Sequence, residues 1–254
     1  MKKIAIFSFL AFFTMALAIA APVPAFAQEE DDGPKVGVKG YPDISSNLDV
    51  ATLYHRLIGV LPDFEKWLRF MPEYTKLPLD EQVDYMEKKP RELLDTFRLM
   101  SPEQPVIAQF KGSLSRYSDE SGGYVVRNFE ETTFFQYSFA GRNYAVIPQG
   151  LMEHQFLDVT GLPQKDVEAV LKANKRNIRV VIFLTPNFAG KDDKPIEMAD
   201  PDDGKMKTYT LVSGKVANIA LYSCPKNKSC TALWQTGTKE FRDDEKNELL
   251  NLKQ

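Results

Sequence analysis

The chain has 254 residues, with 32 basic and 35 acidic side chains, two histidines, two cysteines and 43% hydrophobic content. A net charge of −3 with no dense basic stretch excludes a nucleic-acid footprint and argues against adsorption to an anionic membrane surface. The length suffices for one large domain, or for a domain with a small helical annex.

The N-terminus carries the clearest signal. Lys2 and Lys3 precede a charge-free run over residues 4–21, and Ala25-Phe26-Ala27 stands just before Gln28. A positive start, an apolar stretch and a small-x-small site together predict a secretory signal peptide over residues 1–27, cut after Ala27. The apolar run covers 18 residues, close to a bilayer span, so an uncleaved anchor is the competing reading. Pro22 and Pro24 oppose it, because they break a helix just before the site and leave the chain extended. Cleavage leaves 227 residues with 30 basic and 35 acidic side chains, a net charge of −5. The expected product is a soluble periplasmic or secreted protein of bacterial type, with no stable membrane insertion after cleavage.

Residues 28–43 are acidic and punctuated by Gly and Pro, which predicts a disordered linker. Residues 44–100 read as a helical region. Leu48, Ala51, Tyr54, Leu57 and Ile58 recur at helical spacing after a capping Ser46 or Asn47, and Gly59 ends that helix. A short helix follows Pro62, with Phe64, Trp67 and Leu68 facing inward. Two more are expected over 80–88 and 90–100, the second started by Pro90.

Residues 101–254 read as an antiparallel α+β domain, with 44–254 forming one compact unit. Strands are expected at 106–117 and 124–139, joined as a hairpin through 119–123, the second broken near 128–131. Further strands fit 143–147 and 178–185, the latter apolar enough to be central. A lone helix fits 163–174, and residues 187–206 read as a polar, acidic loop. Ser213-Gly214 between 208–212 and 216–222 reads as a hairpin turn, with 231–235 returning antiparallel. The tail, 241–250, is a weakly amphipathic helix. The fold class is therefore α+β: an antiparallel sheet with one covering helix, preceded by a small N-terminal helical region.

Cys224 and Cys230 flank a polar turn, and in an oxidising compartment so close a pair predicts a local disulfide. Zinc is not expected, since His55 and His154 lie in different elements and neither has a second ligand at helical spacing. Calcium is not expected either: Asp200, Asp202 and Asp203 cluster before Gly204, but in the wrong register and without a bidentate Glu. No metal or cofactor is predicted. No nucleophile elbow is present. Acid/base chemistry would fall to Glu130 and Glu131, with His154 as a base, although neighbours on a strand point to opposite faces. Phe129, Phe135, Tyr137 and Phe139 share strand parity, and either line a ligand groove or belong to the core, which the need to bury one sheet face favours.

These features predict an exported binding or accessory module of the cell envelope, taking an envelope protein or a small apolar or glycan ligand as partner. The alternatives are an exported hydrolase using carboxylates and an envelope protein anchored by a retained N-terminal segment.

Overall fold

A computed structural model describes residues 25–27, 34–120, 122–127, 129–158, 164–174, 178–191, 194–200, 204–226 and 229–235. Most of the expected leader, the acidic stretch 28–33 and the helix expected at 241–250 lie outside the described residues. The helices are α1 (Asn47–Ile58), α2 (Phe64–Leu68), α3 (Pro72–Lys76), α4 (Leu79–Leu99) and α5 (Gln164–Asn174). The strands are β1 (Ala25–Ala27), β2 (Val106–Lys111), β3 (Gly123–Val125), β4 (Phe134–Phe139) and β5 (Arg142–Gln149). They continue with β6 (Phe156–Asp158), β7 (Ile178–Ala189), β8 (Ile196–Ala199), β9 (Met206–Ser223) and β10 (Thr231–Gln235).

The architecture is mixed α/β, with a large curled sheet in the order β1-β4-β5-β9-β7-β2. β8 and β10 pair with β9 as well, and β3 pairs with β6 in a separate ribbon. The sheet is mixed, not purely antiparallel, because β5 runs parallel to β9 and β1 parallel to β4. Parallel neighbours need a long crossover. Here the chain between β5 and β9 supplies one, passing through a short 3-10 helix, β6, α5, β7 and β8.

The hairpin expected at Ser213-Gly214 does not form. β9 runs straight through it for 18 residues, paired to β5 over Thr210–Lys215 and to β7 up to Ser223. Crowding explains the glycine: a Cβ on Gly214 would lie 3.1 Å from the Thr185 carbonyl and 3.4 Å from Leu184 Cβ. The residue therefore serves close strand approach instead of a turn. The hairpin expected between 106–117 and 124–139 forms only in part. β2 pairs with β7 instead, while residues 113–118 and 123–127 are joined antiparallel by the Leu114–Val126 and Ser118–Gly123 bridges and by bonds such as Ser115 N–H to Val125 O at 2.8 Å. β7 is central as expected, with residues 178–184 buried between β2 and β9.

A single covering helix is not what shields the sheet. α1 lies over β4, β5 and β7, burying Val50, Ala51, Leu53 and Tyr54, while α5 contributes Val170 and Ala173 beside β10. α1 dominates because its buried stripe is continuous. Ser46 caps it by accepting from the Asp49 N–H at 3.1 Å, and Gly59 closes it at φ 69°.

The opposite face is covered by chain read above as linker. Residues 34–44 lie along β2, with Val36 and Val38 buried against Ile107, Val181, Phe183 and Tyr222. Gln109 holds this strap: its Oε1 accepts from Val36 N–H (2.8 Å) and its Nε2 donates to Asp43 Oδ2 (2.7 Å). Two valines and a partnered amide suffice to order a stretch whose composition alone predicts disorder.

α4 is one helix, not two, with Pro90 in its middle and Phe97 as its one buried residue. Proline withholds the N–H that Met86 O would accept. Ring contacts on either side, Tyr85 with Tyr74 and Phe97 with Phe64, hold both halves to the shorter helices. The acidic loop 187–206 contains β8 and a buried carboxylate. Asp200 is 1% exposed and accepts from Lys207 (2.6 Å), Tyr209 (3.2 Å) and Gln136 (2.9 Å).

Two outcomes check this description. Ser213→Asn would create a favourable two-residue hairpin turn, but in a continuous strand it crowds a buried position and should cost about 1–3 kcal/mol in urea denaturation. Cys224 and Cys230 are disulfide-bonded, and reduction of this short loop should cost about 2 kcal/mol, read from the denaturation midpoint with and without reductant.

Candidate functional site

The residues singled out from the sequence do not converge. Glu130 and Glu131 sit in the turn before β4, not on it, and both are exposed; the Thr133 N–H donates to Glu130 O at 3.0 Å and closes that turn. Phe129, Phe135 and Tyr137 are at most 5% exposed and pack in the main core, where Phe110 touches Phe129 at 5.7 Å and Phe135 at 5.4 Å between ring centres. Burial pushes the Tyr137 hydroxyl far above its ordinary pKa, with Asp43 and Asp49 adding to the effect. Phe139 is half-buried and meets Trp67 edge-on at 5.2 Å, which ties the end of β4 to the helical region.

His154 ends the 3-10 helix Leu151–His154, half-buried beside β9. Burial lowers its pKa, helped by Lys215 and opposed by Glu153 and a hydrogen bond to the Val216 backbone. Close by in sequence register, Gln149, Asn187 and Ser213 form a closed polar ring. Ser213 Oγ donates to Asn187 Oδ1 (2.9 Å), Asn187 Nδ2 donates to Gln149 Oε1 (2.8 Å), and Gln149 Nε2 reaches Ser213 Oγ at 3.4 Å. The Ser213 hydroxyl is thus held by two amides and not by the imidazole.

A cleft lies instead between the C-terminal ends of α1 and α4. It measures about 220 Å³ and is lined by His55, Arg56, Gly59, Leu61, Leu94, Phe97 and Arg98. The helix end builds it. Gly59 N–H donates to Arg56 O (3.3 Å) and Val60 N–H to His55 O (3.2 Å), which folds Val60 and Leu61 back over the last turn. His55 Nδ1 then lies 3.0 Å from Val60 O. A carbonyl can only accept, so Nδ1 carries the proton. The imidazole is packed edge-on between Tyr54 and Trp67, each 5.3 Å away by ring centres.

Arg56 is fixed at two points: its Nε donates to Met100 O at 2.7 Å, and its guanidinium lies 5.0 Å from the centre of the Phe97 ring. The sequence contains one hint of this cleft, the cationic last turn of α1. Its second wall is a tertiary accident of where residues 94–98 return.

No family of known proteins, no curated protein and no solved structure matches this chain. Among the described residues no group of three or more His, Cys, Asp or Glu side chains is placed to hold a metal, and no helix is long and apolar enough to cross a membrane.

His154 gives a pH test. Its folded pKa lies below the ordinary value, so the unfolded chain binds the proton more tightly. The neutral ring then contributes stability above about pH 6.5, and this is lost as the pH falls through the lowered folded value. His154→Gln should flatten the acid side of the stability profile below about pH 6.5, measured by urea denaturation at stepped pH.

Proposed function

We propose that this protein is an exported module of the cell envelope, periplasmic or secreted, that works by binding. The observation that carries the reading is the cleft between α1 and α4, in which an arginine held at its Nε and lying over the Phe97 ring is presented beside apolar side chains. Binding sites combine an apolar lining with a few fixed polar groups, and this cleft has that composition. The Cys224–Cys230 disulfide supports an oxidising compartment, as does the leader read at residues 1–27. The aromatic residues of β4 serve packing in this reading, which moves the ligand from the sheet to the helical region.

A hydrolase is the second reading, on one observation: burial lowers the His154 pKa and so favours the neutral imidazole, the form a general base requires. Glu130 and Glu131 would be its carboxylates. An anchored envelope protein is the third.

A native mass spectrum and a turnover assay separate the three. A native mass spectrum of the protein from the compartment that exports it should begin at Gln28, two hydrogens lighter than the reduced chain, with a ligand mass that leaves on activation. A mass retaining residues 1–27 would make it an anchored protein. A bare chain that turns over a glycoside or ester, and loses that activity in His154→Gln, would make it a hydrolase.

A further inference from the structure

We propose that the cleft between α1 and α4 binds a small amphiphile with an anionic head, an alkyl carboxylate of medium chain length. The carboxylate sits on the terminal nitrogens of Arg56, and the tail lies along Leu61, Leu94 and Phe97. This rests on the binding reading above and gives it a ligand class and an orientation.

Three observations carry it. The first is the charge of the lining: two guanidinium groups line a cleft whose lining residues include no carboxylate. Arg98 has only a weak claim elsewhere, an exposed ion pair to Asp95 at 3.8 Å, which water and salt compete for readily.

The second is the state of Arg56. Its Nε donates to Met100 O and its guanidinium carbon lies over the Phe97 ring, two contacts that restrain the side chain. Among the described residues, those two contacts leave its terminal nitrogens with no carboxylate or carbonyl acceptor. A planar, pre-oriented pair of N–H donors matches a carboxylate in two parallel hydrogen bonds, and little side-chain freedom is lost on binding because the fork is already held.

The third is the apolar rim. Leu61, in the lining, is 63% exposed, while Phe97 is buried. Covering the Leu61 side chain removes apolar surface from water, which a bare anion cannot do. The volume of about 220 Å³ corresponds to roughly seven water-sized groups, room for a carboxylate and a short chain and too little for a long-chain lipid held whole.

The test uses the mature protein and four probes: octanoate, octanol, acetate and octyl phosphate. Calorimetry should give octanoate binding at least tenfold tighter than either octanol, which lacks the charge, or acetate, which lacks the tail. Leu61→Asp changes an exposed residue, so the fold is retained, and places a negative charge at the mouth; it should weaken octanoate at least tenfold at an unchanged Tm. Arg56→Lys keeps the charge but loses the fork, and should weaken octanoate several-fold.

Equal affinity for octanoate and octanol would overturn the anionic head. Undiminished octanoate binding to Leu61→Asp would overturn the site while leaving a binding protein. No octanoate binding at millimolar concentration would overturn the ligand class. In that case a different mass retained in the native spectrum would leave the binding reading standing, and a bare chain would remove both. Octyl phosphate bound more tightly than octanoate would replace the carboxylate with a phosphate head.

Discussion

β9 shares its backbone hydrogen bonds with four other strands, β5, β7, β8 and β10, and the rest of the molecule is arranged around that one extended segment. At Ala220–Ser223 both of its edges are taken, by β7 on one side and β10 on the other, and at Val212–Lys215 by β7 and β5. A strand paired on both edges has no backbone group facing solvent in that stretch, so every residue must fit between neighbours about 5 Å away. Gly214 meets the Thr185 carbonyl closely, and the register slips between Phe183 and Leu184 and between Pro186 and Phe188 absorb the remaining mismatch. Such irregularities bend a strand and sharpen its twist, consistent with the curl of the sheet.

Two covers depend on that sheet. α1 buries its apolar stripe on one face, and the strap of residues 34–44 closes the other around Val36 and Val38. The two covers meet at a polar junction. Asp43 accepts from the Ser45 N–H (2.9 Å) and from Gln109, while Asp49 in the first turn of α1 pairs with the Ser46 hydroxyl. Burial raises the pKa of Asp49, partly offset by its Ser46 hydrogen bond. Partnered polar groups at such a junction fix how the chain enters the helix, which apolar packing alone would leave less specific.

The helices α2, α3 and α4 are attached more lightly. Their link to the sheet includes a relay of rings: Phe139 against Trp67, Trp67 against His55 and Phe64, and Phe64 against Phe97. α4 buries one residue fully and carries Pro90 at its centre, while Leu79 and Val83 stay exposed. Elements with few buried contacts open at lower free energy than the core, and binding clefts are commonly drawn from that end of the range. The cleft lies where this lighter unit meets α1, so its walls belong to parts of differing rigidity.

The sequence by itself determined the elements with strong local grammar. Helical spacing between Ser46 and Gly59 specified α1, the apolar run 178–185 specified a central strand, and the cysteine pair specified its disulfide. These rest on contacts within a few residues, or on burial that composition alone announces. Ser213-Gly214 shows the limit. A dipeptide that favours a turn in isolation stays extended once β5 and β7 compete for its backbone, and the energy of two flanking strands exceeds any local preference. The strap of residues 34–44 shows the same in reverse, since its order comes from Gln109 and Phe183, which lie far along the chain. The α1–α4 cleft was legible only as a cationic helix end. Its floor is made by Phe97 and its arginine is fixed by Met100 O, a partner 44 residues away, and no spacing rule connects residues so far apart. Tertiary structure alone decided that site, because its geometry exists only after two helix ends have been packed together.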